Sequence, residues 1–257
     1  MISTDNPIVF LHIPKTAGQT IHNRLVKLVG GPEYVSPIRV HIQAGDCDQM
    51  PAGYRLYSGH LDWTQLDKLP KDRFAFTVLR DPKERIASFY FYLIKDAHAL
   101  SSEELAQPIN LGMRKALEET PDEYFFGGDA QWQKFILDHY DNFYCSYFAS
   151  RLMRGRKILA GLDNDEIHQR AMAGLSDLQG VYFTDRLDLL EADIRRNFGA
   201  KIALTRIFVN AGDHEAGAKR WPKLAAAMES DRNLARLESF AERDEALIAD
   251  LKSRLSS

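Results

Sequence analysis

The strongest constraint on the fold is an apolar run near the N-terminus that leads into a short interrupted stretch and then an amphipathic pattern. Ile8–Leu11 is wholly apolar, Pro14 and Gly18 interrupt the run, and an amphipathic stretch follows from Thr20 to Val29. This order predicts a strand, a loop and a helix N-terminus. Unpaired N–H groups and the positive end of the helix dipole make such a loop an anion site, and Lys15 adds a mobile charge.

The loop does not match the phosphate loop of nucleotide kinases. That motif requires Gly, four residues, then Gly-Lys-Ser/Thr, whereas here Lys15 precedes Gly18 and no Gly-Lys pair follows. Taken alone, the loop leaves two interpretations open, phosphate binding and an ordinary turn between a strand and a helix.

A second segment repeats the same order of elements. Phe74–Leu79 is apolar, Arg80-Asp-Pro stops the run, and Lys83 to Leu93 continues at helical spacing. Two strand-loop-helix units predict an α/β fold with a central parallel β-sheet flanked by helices.

The second segment offers another anion contact. Arg80 would stand at the carboxyl end of its strand and Ser88 on the next helix, so a charged fork and a hydroxyl could meet one phosphate. The alternative is an ion pair between Arg80 and Asp81 or Glu84, which would do no more than cap or solvate the turn.

The rest of the chain extends the strand and helix pattern. Ile38–Ile42, Tyr54–Tyr57 and Val181–Thr184 are further candidate strands, and Trp63–Leu69 is a candidate short helix. Residues 101–175 are predicted to be mostly helical, forming a helical middle section. Helices are also predicted over Leu187–Phe198 and Asn233–Leu255, and a Gly-, Ala- and charge-rich loop over Asn210–Lys223.

Together the segments resemble the sulfotransferases that use 3′-phosphoadenosine 5′-phosphosulfate (PAPS). Pro14-Lys-Thr-Ala-Gly-Gln-Thr20 is similar to their 5′-phosphosulfate loop, and Leu79–Tyr90 to their 3′-phosphate segment. Tyr57-Ser-Gly-His-Leu-Asp-Trp63 is similar to the Gly-His element of the carbohydrate (heparan sulfate 2-O-type) branch. The resemblance is firm over residues 8–93 and weaker beyond. Gln19 departs from the pattern, because many relatives carry a hydroxyl residue or a second small residue there.

The resemblance implies the P-loop-kinase-like three-layer sulfotransferase fold, PAPS as sulfuryl donor and its product 3′,5′-bisphosphate (PAP). It implies transfer to a hydroxyl of a carbohydrate or glycoconjugate without a required metal. His60 would be the base and Lys15 would stabilise the leaving phosphate oxygen. The donor-binding residues implied are Pro14, Lys15, Thr16, Ala17, Gly18, Gln19, Thr20, Arg80, Ser88, Lys219 and Arg220.

Other polar residues near these motifs have simpler interpretations. Asp62 could orient His60 or cap the helix predicted from Trp63, and capping is favoured. His12 is predicted to pack or hydrogen-bond within its strand, and His41 has no recognised partner.

Composition narrows the class of protein. With 257 residues and 45% hydrophobic content, residues 1–257 are expected to form a single sulfotransferase domain. A net charge of −3 argues against nucleic acid as partner. Two cysteines without metal spacing favour a reducing compartment. No signal-peptide or spanning pattern occurs, so we expect a soluble cytoplasmic protein, resembling a bacterial relative, with a small-molecule or glycan acceptor.

Two features and two functions stay open at this level. The basic stretch from Arg151 to Lys157 could meet an anionic sugar, although finishing a helix is favoured. The aromatic residues between Tyr124 and Phe148 could stack a sugar, although core packing is favoured. The alternative functions are an ATP-dependent kinase of related fold and a catalytically inactive nucleotide-binding regulatory protein. The acceptor and the oligomeric state are not determined by the sequence.

Overall fold

A computed structural model describes residues 2–45, 47–205 and 219–256. The described residues form an α/β structure with one four-stranded sheet. The strands are β1 (Ile8–Leu11), β2 (Leu56–Gly59), β3 (Phe74–Leu79) and β4 (Gly180–Phe183). The α-helices are α1 (Gly18–Val29), α2 (Pro82–Ala97), α3 (Ser102–Leu105), α4 (Leu111–Glu118), α5 (Pro121–Phe126), α6 (Ala130–Tyr140), α7 (Phe143–Ser150), α8 (Asn164–Ser176), α9 (Leu187–Phe198), α10 (Trp221–Ala227) and α11 (Asp231–Ser256). Short 3₁₀ turns cover Pro32–Tyr34, His41–Gln43, Leu66–Lys68, Pro108–Asn110 and Arg156–Leu159.

The chain divides into two compact units. The first comprises Met1–Arg80 and Ser146–Ala216 and carries the sheet, and the second comprises Asp81–Cys145 and Gly217–Ser257 and is helical. That the whole chain acts as one sulfotransferase domain stays a prediction.

The sheet of the first unit is entirely parallel, with strand order β2-β1-β3-β4. The three strands β1, β2 and β3 are buried at every residue, as expected for a parallel sheet that is covered on both faces. Phe10 and Phe76 stack with ring centroids 4.9 Å apart, and Ile21 and Leu25 of α1 belong to the same buried cluster. The predicted α/β class with a central parallel sheet is therefore confirmed, and the carboxyl ends of its strands lie at one edge.

The prediction of a strand over Ile38–Ile42 is wrong. Only Val40 forms an isolated parallel bridge, to His60, and the chain then turns at His41–Gln43. The cause is local, because the Gln43 side chain accepts hydrogen bonds from the backbone N–H groups of Arg39 and Val40 at 2.7 and 3.0 Å. Those N–H groups are thus taken by a side chain rather than by a sheet partner.

The predicted helix from Trp63 to Leu69 is also wrong in extent, because only the 3₁₀ turn Leu66–Lys68 forms. Asp62 caps no helix there. Its carboxylate accepts a hydrogen bond of 2.7 Å from the backbone N–H of Met153 instead. The side chain therefore fastens a segment that is distant in sequence.

The second unit has an aromatic core. Tyr124, Phe125, Trp132 and Tyr140 are buried together against α2, as core packing predicted. Asp81 caps α2 by accepting from the Glu84 N–H at 2.9 Å. Helix α11 covers the predicted Asn233–Leu255.

The predicted loop over Asn210–Lys223 is only partly open to comparison, since residues 210–218 lie outside the described residues. The end of that prediction is wrong, because α10 already begins at Trp221 with Pro222 in its first turn. Proline fits there because the first helical N–H groups need no intrahelical partner.

Three further predictions concern membrane spans, the cysteines and the basic stretch. None of the helices in the described ranges is long and apolar enough to span a membrane. Cys47 and Cys145 are both free. Of the basic stretch, Arg151 follows the last residue of α7, in agreement with the end-of-helix interpretation, and it pairs with Asp177.

Candidate functional site

The loop between β1 and α1 has the backbone of an anion-binding turn. Lys15 and Ala17 adopt left-handed conformations with φ of 72° and 64°. Thr16 between them is buried and its hydroxyl donates to the Ile13 carbonyl at 2.9 Å. Ala17 is the N-cap of α1, and its side chain makes no capping hydrogen bond to the first turn. Successive N–H groups in such turns form concave sites for anions.

Strain at two non-glycine residues is consistent with a functional loop. A left-handed non-glycine residue costs on the order of 1 kcal/mol and persists only where the surroundings impose it. Gln19, the departure from the family pattern, is exposed and donates to Asn23 at 3.0 Å. Its side chain thus leaves the donors of the loop backbone unaffected. Thr20 is buried in the first turn of α1.

Gly18 leaves room for the ring of the histidine that lies over the loop. A Cβ atom at this position would stand 1.6 Å from Nε2 of His12. His12 follows β1 directly, and its ring stacks on Phe10 with centroids 5.3 Å apart. The predicted packing role of His12 is therefore what the geometry gives, but its ring also reaches the neighbouring strand end.

At that strand end, His60 follows the last residue of β2. Its ring centroid is 4.3 Å from that of His12, and its Nδ1 lies 2.7 Å from the His12 backbone carbonyl oxygen. A carbonyl oxygen only accepts, so Nδ1 carries the proton and Nε2 carries the free lone pair. His60 is thereby held in the tautomer that can take up a proton at Nε2.

The surroundings of His60 also hold it neutral. Burial lowers the pKa of His60; the His12 carbonyl opposes this, and the nearby Arg39 and His41 lower the pKa further. Burial lowers the pKa of His12 well below its usual value, with contributions from His60, Arg39, His22 and Lys15. A neutral imidazole is the form that a general base requires at neutral pH.

The first unit thus brings together Lys15, the rest of the Pro14–Thr20 loop and His60 around His12. Lys15 is close enough to affect the charge of His12, and His12 contacts His60 directly. Arg80 also belongs to this unit and follows β3, half-buried. The predicted residues from three strand ends therefore share the carboxyl edge of the sheet.

The remaining predicted donor residues belong to the second unit. Ser88 is buried on α2, while Lys219 is exposed and Arg220 half-buried just before α10. Glu84 of α2 accepts from the backbone N–H groups of Arg220 and Trp221, at 3.0 Å each. A carboxylate at the start of a helix satisfies its free N–H groups, so Glu84 fixes the residues that open α10.

Three polar residues of the first unit were missed from the sequence. His22 on α1 lies 3.0 Å from the Ser58 hydroxyl through Nδ1 and 2.6 Å from Nη1 of Arg39 through Nε2. His22 occupies a buried position of an amphipathic helix, and a polar residue on an apolar face is the one signal that points to it. In the described part of the chain, no group of three or more His, Cys, Asp or Glu could hold a metal ion.

Comparison with known protein families shows which family the chain belongs to. The model of the sulfotransferase family matches residues 1–148, which covers the phosphate loop, the Gly-His element and the Arg80 segment. The chain belongs to the sulfotransferase family. A search of curated proteins finds no match. This sulfotransferase family member is a transferase of sulfuryl groups, and the predicted superfamily is confirmed.

Proposed function

We propose that the protein transfers a sulfuryl group from PAPS to a hydroxyl of a carbohydrate or glycoconjugate. The observation that carries the proposal is His60, whose Nδ1 is committed to the His12 carbonyl while its neutral ring keeps Nε2 available. The strained loop belongs to the same unit, and its Lys15 is close enough to lower the pKa of His12. A base and an anion site in one unit fit a family that transfers sulfuryl groups.

In this mechanism each residue handles one charge. His60 accepts at Nε2 the proton of the acceptor hydroxyl as its oxygen forms the new bond to sulfur. The bond between sulfur and the phosphate oxygen breaks, its electron pair stays on that oxygen, and PAP leaves. Lys15 and the loop N–H groups stabilise the negative charge that develops there. Positioning of the two oxygens in line with sulfur supplies much of the remainder.

The donor assignment extends to Arg80, Ser88, Lys219 and Arg220, which we propose bind the 3′-phosphate side of PAPS. We further propose a reducing, cytoplasmic location, in keeping with two free thiols.

The donor is tested by thermal unfolding with PAP, with ADP, and with ATP plus Mg²⁺, because a ligand stabilises the fold according to its concentration over its Kd. PAP should raise the Tm most. Stabilisation by ATP and Mg²⁺ alone would favour the kinase and refute the proposal. In Arg80→Ala and Ser88→Ala the PAP shift should shrink, and unchanged PAP affinity in both would remove their assignment.

The base is tested by His60→Ala, with PAP release from PAPS followed over a panel of hydroxyl acceptors. His60→Ala should lose transfer by at least about 100-fold, the usual scale of general-base catalysis, while PAP binding survives. His98→Ala, an exposed histidine of the second unit, is the matched control and should turn over normally. Normal turnover of His60→Ala would refute the role of His60. PAP binding without transfer to any acceptor would favour the inactive regulatory protein.

A further inference from the structure

Arg39 is a half-buried cation without an acidic partner among the described residues. Its Nη1 donates to Nε2 of His22 at 2.6 Å. Its Nε is fully buried and has no hydrogen-bond partner in the described ranges. Arginine side chains at such depth are normally matched by carboxylates, because desolvating an unpaired charge is costly. The guanidinium therefore keeps an unused donor and an unbalanced charge.

The partner of Arg39 cannot balance that charge. Nε2 of His22 accepts from Arg39, so the ring proton sits on Nδ1 and is directed to the Ser58 hydroxyl, 3.0 Å away. Burial, followed by the charge of Arg39, lowers the pKa of His22 to about 4. His22 is thus a neutral support that fixes the direction of the guanidinium.

The backbone places Arg39 directly beside the proposed base. The His60 N–H donates to the Arg39 carbonyl at 2.8 Å, and the next residue, Val40, pairs with His60 as a parallel bridge. Gly59 permits this approach, because a Cβ atom there would lie 2.1 Å from the Arg39 carbonyl oxygen. The relation between Arg39 and His60 is therefore built into the backbone.

The charges around this point favour an anion. Arg39 and Lys15 are both close enough to lower the pKa of His12. Among the described residues, no carboxylate is a cause of the shifted pKa of His12, His22 or His60, and the carboxylate of Asp62 acts on the neighbouring His41 instead. A guanidinium presents a fork of N–H donors that matches sulfate, phosphate and carboxylate oxygens.

We propose that Arg39, supported by His22 and Ser58, forms an oxyanion subsite beside His60, separate from the Pro14–Thr20 loop. The proposal rests on the proposed function for its position next to the reacting hydroxyl. Two sources offer the required oxyanion, the sulfuryl group of the donor and an anionic substituent of the acceptor. Both present oxygens to the same fork of donors.

The subsite is tested by titrating inorganic sulfate in the presence of saturating PAP, which fills the loop. Arg39→Gln should weaken sulfate binding about tenfold or more, the scale of a lost charge-assisted contact, while PAP affinity stays within twofold. Arg170→Gln removes the same charge from an exposed pair with Glu166 on α8 and should bind sulfate like the wild type. Equal sulfate binding by Arg39→Gln and the wild type would overturn the subsite.

Two binding comparisons identify whether the donor or the acceptor supplies the oxyanion. If the donor supplies it, Arg39→Gln loses affinity for PAPS but not for PAP. If the acceptor supplies it, Arg39→Gln loses binding of methyl glucuronide but not of neutral methyl glucoside. If Arg39→Gln binds both PAPS and methyl glucuronide as the wild type does, a role of Arg39 in the reaction is overturned.

Arg39→Lys guards against a folding defect, because it keeps the charge and loses the fork. Retained PAP binding with intermediate sulfate affinity would support the subsite. If PAP fails to stabilise even the wild type, the proposed function falls, and a sulfate titration without PAP still decides the subsite. Sulfate binding that depends on Arg39 would then support the subsite without supporting the proposed function.

Discussion

His22 should make the stability of the protein fall steeply in mild acid. Its pKa is lowered from 6.5 to about 4, with burial as the first cause and Arg39 as the second. Because the folded-state pKa is below the unfolded value, the unfolded chain binds more protons as pH falls through 6.5 toward 4, and stability is lost in that window. Between pH 7 and pH 5 this amounts to about 2 kcal/mol from His22 alone, at about 1.4 kcal/mol for each pKa unit.

The measurement compares urea unfolding of the wild type and His22→Gln at pH 7, 6 and 5. The variant is expected to be less stable at pH 7, because it disturbs the contacts with Ser58 and Arg39, but to lose about 2 kcal/mol less on acidification. Contributions of His12, His41 and His60, which are also lowered mainly by burial, remain in both proteins and cancel to first order. His98→Gln controls for loss of an exposed histidine. Parallel pH dependence of the wild type and His22→Gln would refute a buried neutral His22.

Two further substitutions test the supports of the site. Glu84→Gln should destabilise the start of α10 by about 1 to 3 kcal/mol, because each carboxylate oxygen accepts from a different N–H, of Arg220 and of Trp221, and the amide replaces one of these oxygens by an NH₂ donor. Faster hydrogen exchange confined to α10 would verify this, and unchanged exchange would contradict it. Gly59→Ala should lower the free energy of unfolding by about 2 kcal/mol or more and weaken sulfate binding, because its Cβ would meet the Arg39 carbonyl. The control Gly112→Ala adds a Cβ whose nearest contact is Phe135 at 3.6 Å, and this variant should fold normally. Equal Tm values for the two variants would contradict the close approach of Gly59 to Arg39.

The elements that the sequence predicted well are those whose signals are local. The strand β1 and the helix α9 match their predicted bounds because apolar runs and periodicity need only neighbouring residues. The segment at Ile38–Ile42 failed because a single side chain, Gln43, redirected two N–H groups. These hydrogen bonds depend on one rotamer of Gln43, and the hydrophobic pattern of the sequence does not predict them.

Within the candidate site, too, the residues with local signals could be predicted and those with distant contacts could not. The loop and His60 could be found because their motifs are contiguous and resemble a family. Arg39 and His22 are 17 residues apart, and His22 and Ser58 are 36 apart, so their contacts exist only after β2 has paired beside β1. Single residues of these types have many structural uses, and what distinguishes Arg39 is an unsatisfied Nε together with a backbone contact to His60, which only the folded chain reveals.

The way His60 is oriented fits the charge of the proposed donor. In many hydrolases a carboxylate holds the histidine tautomer, and it stabilises the protonated ring as well. Here the neutral carbonyl of His12 holds Nδ1, and no carboxylate contributes to the lowered pKa of His60. A carboxylate at that point would raise the pKa of His60 and repel the negatively charged phosphosulfate. A backbone dipole provides the orientation without either effect, while Lys15 and Arg39 supply positive charge close to His12. Burial, which is the first cause of the lowered pKa of His60, therefore keeps the base neutral, and the positive side chains nearby favour an anion.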